Sequence, residues 1–430
     1  MGFLSCWSFL WDIIHNEKHL SIVIETEGCQ RIESRICDLP DDLLLRILHH
    51  VPTKDAVATS ILSQRWRYVW TMLPILEFKD DGSESVGWFT EKSLQLHQAP
   101  KLYSLIVEVG PHCPVDVDVG KWVENPVNRV DVSSPAFLPS LLYLSLHDVV
   151  YKDDESLVRL LSSSPVLKWL SVYRHEDDTL KDFTVKVSSL ETLFYRTNWR
   201  RNDFDVDEVE EDQTVDYYYV VIRSLFIDSP ALKNLYIDDV WDLLIDNMPC
   251  LDVASFSYVH NPSDKFLQSL SSVIHLDLLL TKAMVACCNA IKFSRLTEIA
   301  VSPDNSVDWL EPLMSFLQNS PKLKSLTIET CIEGLPPSWN QPSSIPECLS
   351  SHLEIFLWRG YGGRGDERQL VTYILANSKC LKTVEISFIA TCNPEDTQKE
   401  LESMPRISTS SRLMFPTQMK WRFNGMTGSY

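Results

Sequence analysis

The sequence predicts an α/β chain: a unit of three short helices, then a solenoid whose stacked strands form a curved parallel sheet with return helices. Three observations predict it. Between Asp38 and Trp70, apolar residues recur at helical spacing in three separate runs. From Leu102 to Ile386 the pattern L-x-x-L-x-L returns again and again, mostly at intervals of about 20–30 residues, the period of a repeat array. Of the 430 residues, 44% are hydrophobic and 23% charged, an ordinary balance for a folded chain long enough for two or three domains.

The helical unit reads in order. Leu39-Pro40 is an extended entry, because the residue before proline is pushed away from the α region. Asp41 and Asp42 place negative charge at a helix N-terminus, where the dipole favours it. Leu43, Leu44, Ile47, Leu48 and Val51 follow at helical spacing as one apolar stripe, and Pro52 stops it. Thr53 is read as the N-cap of a second helix carrying Ala56, Val57 and Ile61. Ser63 is read as the cap of a third, with Trp66, Val69 and Trp70 at i, i+3 and i+4. Three such helices expose a large apolar face for their length, so a partner helix is the expected cover.

The runs LPDDLLLRIL and HVPTKDAVATSILSQRWRYVW resemble the F-box. The resemblance implies a non-catalytic subunit of a cullin-based ubiquitin ligase. The helices would bind an Skp-type adaptor, and through it a cullin, while the rest of the chain holds a protein substrate. It implies adaptor contacts at Leu39, Pro40, Leu44, Ile47, Leu48 and Trp66.

After Trp70, Leu73 to Phe78 reads as a strand, and the repeats begin beyond it. Strong copies start at Leu102, Val127, Leu141, Leu167, Leu232, Leu296, Leu323 and Leu381, and weaker ones at Leu190, Leu251, Val273 and Leu353. The period and pattern are those of leucine-rich repeats, each a short strand with inward leucines and a return segment, often a helix such as Asp153–Ser162 or Trp309–Asn319. The copies at Val127 and Leu141 are only 14 residues apart, which leaves no room for a return helix. From Leu190 to Leu232 the interval is 42 residues and contains an acidic run between Asp203 and Asp216, which reads as a loop. The asparagine that ends the strand in many such repeats is absent.

Residues from about Pro346 to Pro416 carry a second resemblance, to the FBD domain found with an F-box and leucine-rich repeats in plant proteins. The matching features are Cys348-Leu349, Leu357 to Gly360, Tyr373-Ile374-Leu375, Leu381-Lys382 and Pro405-Arg406. The expected organisation is therefore a leader at 1–33, an F-box at 34–80, a repeat region at 81–345 and an FBD region at 346–430.

Other chemistries find little support. A net charge of −20, with no basic cluster, argues against nucleic acid as a partner. The 11 cysteines include no C-x-x-C pair and no zinc spacing, so they read as free thiols in a reducing compartment, cytoplasmic or nuclear. The apolar run Phe3 to Ile14 is too short to span a bilayer and lacks a basic start. Gly360-Tyr361-Gly362-Gly363-Arg364-Gly365 matches G-x-G-x-x-G between a strand and a helix. Yet Asp366 and Glu367 occupy the helix start that a pyrophosphate needs, and the rest of a doubly wound sheet is missing. No catalytic triad, H-E-x-x-H or other paired constellation is present. No enzyme activity, cofactor, metal or membrane partner is expected.

The expected function is substrate recruitment for a ubiquitin ligase; the alternative is a repeat scaffold whose F-box no longer engages one. Outward positions of the repeat strands are the expected substrate surface, with Trp169, Tyr173 and Tyr236 as candidate anchors beside Asn234, Thr327 and Glu385.

Overall fold

The computed structural model describes residues 36, 39–80, 86–109, 138–151, 153–175, 178, 180–197, 224–246, 248–262, 264–288, 291–303, 308–330, 342–390 and 392–416. The leader, the repeat copy at Val127 and the acidic run 203–216 lie outside the described residues.

The first three helices are α1 (Asp41–Leu48), α2 (Thr53–Ala58) and α3 (Gln64–Val69), with single 3₁₀ turns at Thr59–Ile61 and Trp70–Met72. Asp41 and Asp42 fill the first turn of α1 as expected. The expected caps differ. Pro40 and Pro52, fixed at φ −57° and −51°, stand at the N-cap positions of α1 and α2, and neither they nor Ser63 caps through a side chain. Thr53 is the first residue inside α2, and its Oγ1 accepts the Glu77 N–H at 2.8 Å.

Glu77 belongs to β1 (Ile75–Lys79), the outermost strand of the main sheet. The sheet runs in chain order from β1 through β2 (Ser104–Glu108), β3 (Tyr143–Val149), β4 (Trp169–Arg174), β6 (Thr192–Thr197), β8 (Asn234–Asp238), β10 (Val253–Phe256), β12 (His275–Leu280), β13 (Glu298–Pro303), β14 (Ser325–Glu329), β15 (Ile355–Tyr361) and β16 (Thr383–Phe388) to β17 (Arg412–Met414). All its pairings are parallel. Every L-x-x-L-x-L copy within the described residues supplies one strand, and its inward residues, such as Leu105, Leu144, Leu170, Leu193, Leu235, Leu326 and Val384, are fully buried. β1 obeys the same rule through Leu73, Leu76 and Phe78, so the repeat begins one copy earlier than the pattern search placed it.

Return segments differ from expectation in one region. Helices return the chain where the interval is long: α4 (Val86–Leu96) early on, α5 (Asp154–Ser162) capped by Asp153, α8 (Leu310–Asn319), α9 (Glu347–Ser351), α10 (Gly365–Asn377) and α11 (Pro394–Ser403). From β4 to β12 the chain instead returns as strands: β5 (Asp182–Val185), β7 (Ser224–Ile227), β9 (Val240–Ile245) and β11 (Val259–Pro262) form a second parallel sheet in the order β11-β9-β7-β5. The copies at Leu232, Leu251 and Val273 are 19 and 22 residues apart. An extended residue advances about 3.3 Å and a helical one about 1.5 Å, so the 19-residue interval favours a strand, while the 22-residue one holds both β11 and a short helix. After β11 come the short α6 (Asp264–Leu270) and α7 (Lys282–Cys288).

The buried face of the second sheet, including Phe183, Val185, Leu225, Ile227, Leu243 and Ile245, joins one hydrophobic core with the main sheet. That core also takes in Leu44, Leu48 and Trp66 of the helical unit and Trp358, Ile374 and Ile386 near the C-terminus. Where β4 turns toward β5, the buried Arg174 pairs with Asp178 at 2.7 Å and donates to Tyr195 Oη at 3.1 Å. A buried charge is tolerated here because each polar end has a partner.

Thr53 thus joins the helical unit to the sheet edge. Replacing it with valine, nearly its shape, leaves the Glu77 N–H without an acceptor, which is expected to lower unfolding stability by about 1–3 kcal/mol. Chemical denaturation of Thr53→Val and Thr53→Ser checks this: serine should recover most of the loss, and equal midpoints for the wild type and valine variants would dismiss the role.

Candidate binding surfaces: the helical end and the open sheet face

The six residues singled out in the helical unit divide in two. Leu44, Leu48 and Trp66 are buried in the chain's own core, where they brace the unit. The stripe on α1 is wider than one contact. Leu44 and Leu48 form an inward i,i+4 pair, while Leu43 and Ile47 form a second pair turned to solvent, 37% and 40% exposed. Pro40 is exposed and Leu39 half-buried. Ile61, read in sequence as a helix-face residue, is 80% exposed, and Leu62 and Tyr68 are exposed as well. Arg65 holds the entry in place: its guanidinium donates to the Leu39 carbonyl and pairs with Asp41 at 2.6 Å.

The main sheet has a second surface on the face away from the return segments. Alternate residues of its strands point there, and register lines them up in rows. Trp169 and Tyr173 on β4 and Tyr236 on β8 all lie on this face and are partly exposed. They do not stand alone. Tyr143 stacks on Trp169 at 5.7 Å, Trp169 meets Phe194 at 4.9 Å, and Phe194 lies parallel to Tyr236 at 4.2 Å. His147 meets Tyr173 at 4.1 Å. The result is an aromatic strip across four neighbouring strands, β3, β4, β6 and β8.

Sequence reading missed Tyr143, Phe194 and His147. Writing the copies in columns would have found them, since Tyr143 sits two residues after Leu141 as Trp169 does after Leu167, and Phe194 four after Leu190 as Tyr236 does after Leu232. His147 bonds with Ser145 Oγ at 2.9 Å, and burial, with the charge of Lys79, pushes its ring down to about 4. It is therefore neutral at pH 7. Burial likewise raises the Tyr236 hydroxyl.

Beyond Tyr236 the same row continues as Ser255, Asp277, Ala300 and Thr327. Ser255 Oγ donates to Asp277 Oδ2 at 3.3 Å, and burial, with Glu329 nearby, pushes the Asp277 carboxyl up to about 6. In the adjoining rows Glu329 pairs with Arg359, His275 contacts Glu298 at 3.0 Å, and Arg196 contacts Asp238 at 3.3 Å.

The glycine-rich loop between β15 and α10 has its donors already engaged. Glu367 Oε2 accepts the Gly362 N–H at 3.1 Å and the Arg364 N–H at 2.9 Å. Burial raises the Glu367 carboxyl, against the pull of these backbone bonds. Gly360, at φ 80°, cannot be replaced freely, because a Cβ there would sit 2.1 Å from the Thr330 carbonyl oxygen. The glycines serve close strand packing and a self-capped helix start. Glu385 lies between the buried Val384 and Ile386 as an ordinary outward residue. Among the described residues no helix is long and apolar enough to cross a membrane, and no three His, Cys, Asp or Glu side chains gather to hold a metal.

Comparison with known proteins shows the family. The F-box domain family matches residues 36–78, a leucine-rich repeat family residues 140–165, and the FBD family residues 341–386. A relative from Arabidopsis thaliana named as F-box/FBD/LRR-repeat protein At1g22000 is 63% identical over 98% of this chain and 99% of its own. One named as FBD-associated F-box protein At1g05080, from the same plant, is 42% identical over 91% and 99%. F-box/FBD/LRR-repeat protein At4g26340 of Arabidopsis thaliana is 35% identical over 89% and 99%. These define a repeat protein led by an F-box and ending in an FBD region. The chain belongs to the F-box/FBD/LRR-repeat family.

With Glu367 seated on the loop, NAD and NADP are expected to give no saturable signal in equilibrium titrations near about 100 μM protein. Saturable binding that Gly362→Val abolishes would reverse this reading.

Proposed function

We propose that this chain is the substrate-recruiting, non-catalytic subunit of an SCF-type ubiquitin-protein ligase in the cytoplasm or nucleus. The helical end takes an Skp-type adaptor and through it a cullin; the open sheet face takes a protein substrate. Other subunits carry out ubiquitin transfer, and this one supplies proximity, itself a large rate factor. The observation that carries the reading is the presence of two distinct unpartnered apolar surfaces. One comprises Pro40, Leu43, Ile47, Leu62 and Tyr68 on the helices. The other is the strip from Tyr143 to Tyr236. Two strand spacings separate β1, where the helices dock, from β3, where the strip begins, about 10 Å at the usual separation. Cys250, Cys348, Cys380 and Cys392 are free thiols, which suits a reducing compartment.

The second reading, a repeat scaffold outside any ligase, shares the open face and differs at the helical end. Leu39→Ala combined with Pro40→Ala removes the entry that Arg65 clamps and is expected to weaken adaptor binding at least about tenfold, as truncating an interface anchor does. Ile47→Ala, on the exposed side of α1, should act in the same direction without opening the core. Calorimetric titration with purified adaptor decides: full affinity in both variants removes the ligase reading.

At the other surface, alanine at Trp169, Tyr173 and Tyr236 together should abolish recovery of the specific substrate while adaptor affinity stays unchanged. Affinity purification with quantitative mass spectrometry reads both in one sample. Substrate retained by a folded triple variant would move the substrate site elsewhere.

A further inference from the structure

Among the described residues, the open face carries beside its aromatic strip a half-buried carboxylate, Asp277, that the fold does not compensate. In the row Phe194, Tyr236, Ser255, Asp277, Ala300, the strands β6, β8, β10, β12 and β13 each give one residue. Phe194 and Tyr236 are stacked with their rings 3° from parallel. Ser255 and Ala300 are small, so the Asp277 side chain lies between two low positions with the aromatic stack as a wall on one side. Among the described residues its side chain has one hydrogen-bond partner, the Ser255 hydroxyl at 3.3 Å, and no Lys, Arg or His comes within 4.0 Å of it.

Other carboxylates on the face are treated differently. Lys79 lies 2.9 Å from Glu77 and 3.9 Å from Glu108. Asp238 has Arg196, Glu298 has His275, and Glu329 has Arg359. Glu385, toward the C-terminal edge, also has no cation beside it among the described residues, but it stands away from the aromatic stack. The Arg359 charge that could have served Asp277 is committed to Glu329, and it lowers the Asp277 carboxyl less than burial raises it. A half-buried carboxylate with a single weak hydrogen bond costs stability in the free chain, and an asparagine would keep the Ser255 bond without that cost. What its charge can do is receive a cation from outside.

Resting on the proposal that this face binds substrate, the geometry points to a substrate segment that carries a lysine or arginine onto Asp277 and an aromatic or large aliphatic side chain onto the Phe194–Tyr236 stack. Charge complementarity commits the occupant to this chemistry: the chain is net −20, and among the described residues no cation of its own pairs with Asp277. Two strand steps, about 10 Å, separate the Tyr236 and Asp277 columns, and an extended peptide rises about 3.3 Å per residue. The two anchors therefore fall two to four residues apart in the partner. A lysine or arginine seated there would be partly desolvated, a setting in which ion pairing is strengthened.

The test uses the full chain bound to its adaptor and a bead-displayed library of random dodecapeptides (about twelve residues, enough to cross four strands). Enriched sequences should show Lys or Arg two to four residues from an aromatic or large aliphatic residue. For a synthetic peptide taken from that set, Asp277→Asn should lower affinity about tenfold or more, and replacing the peptide's basic residue by glutamine should lose the same amount on wild type and nothing further on the variant. Asp277→Lys should shift the enriched set toward Asp and Glu. The Asn variant should also unfold later than wild type at pH 7. The sign follows from the raised folded-state carboxyl: the folded chain holds its proton more tightly, so wild-type stability falls as pH rises from about 4 to about 6, and the amide is free of that loss. Enriched peptides whose binding the Trp169/Tyr173/Tyr236 alanine variant abolishes, yet which show no basic preference or keep it on Asp277→Asn, overturn this inference alone. Enriched peptides indifferent to the alanine variant, or a library yielding none, overturn both it and the assignment of substrate to this face.

Discussion

A parallel sheet built one strand per repeat has no interior until its neighbours stack and its return segments fold back over it. Each strand here offers two or three inward aliphatics, too few to hold a strand alone, and the structure depends on their alignment into continuous buried columns. Leu105, Leu144, Leu170, Leu193, Leu235, Leu276, Ile299, Leu326, Phe356 and Val384 form one such column from β2 to β16. The column explains why the pattern tolerates weak copies. Ala254 and Phe256 in β10 replace two leucines, yet the strand pairs on both sides and stays buried. It also explains why the first edge needs a lid. The backbone of an edge strand presents unpaired groups, and α2 satisfies one of them through Thr53. The module that meets the adaptor in the proposed function is in this way also the end cap of the solenoid.

Periodicity made most of this legible. Inward leucines at a fixed offset predicted every main-sheet strand within the described residues except β1 and β17. β1 was read as a strand but not as a repeat, because Phe78 stands where a leucine was sought. β17 is three residues long and lacks the leading leucine. The second sheet was not legible, since β5, β7, β9 and β11 have four to six residues each, and their apolar residues follow no shared template. Interval length held only part of the clue: it accounts for β9 between copies 19 residues apart, but β7 returns the chain across the 42-residue interval from Leu190 to Leu232.

The surfaces were harder to read than the core, for a physical reason. Burial imposes a strict rule on inward residues, while an outward residue is constrained only by its cross-strand neighbours, which are distant in sequence. Trp169, Tyr173 and Tyr236 were visible one by one, but the stack that joins them through Tyr143 and Phe194 exists only in the register. In α1, Leu44 and Ile47 look alike in a helical stripe, and folding takes the first into the core and leaves the second outside. The glycine-rich loop shows a related ambiguity. Its G-x-G-x-x-G spacing gives a tight turn and free backbone donors, which a dinucleotide site needs, but so does a helix that caps itself. Glu367 resolves the ambiguity by placing a carboxylate where a phosphate would sit.

Charge on the open face follows the same logic of compensation. A carboxylate on a β-sheet surface loses hydration from its neighbours on both sides, and pairing with a cross-strand cation offsets that loss. Glu329 with Arg359 and Asp238 with Arg196 use pairs in register on adjacent strands. Asp277 has Ser255 and Ala300 in those cross-strand places, so no long side chain of this protein can reach over it from its own row. Folding alone would be served as well by an asparagine or a serine. The departure from the local rule therefore coincides with the end of the aromatic strip, whose last ring, Tyr236, is partly exposed. Two uncompensated features of opposite chemical kind, side by side on a rigid parallel sheet, describe a preorganised surface: both anchors are fixed by strand register before any partner arrives, and a bound segment would lose its own freedom without having to order the receptor.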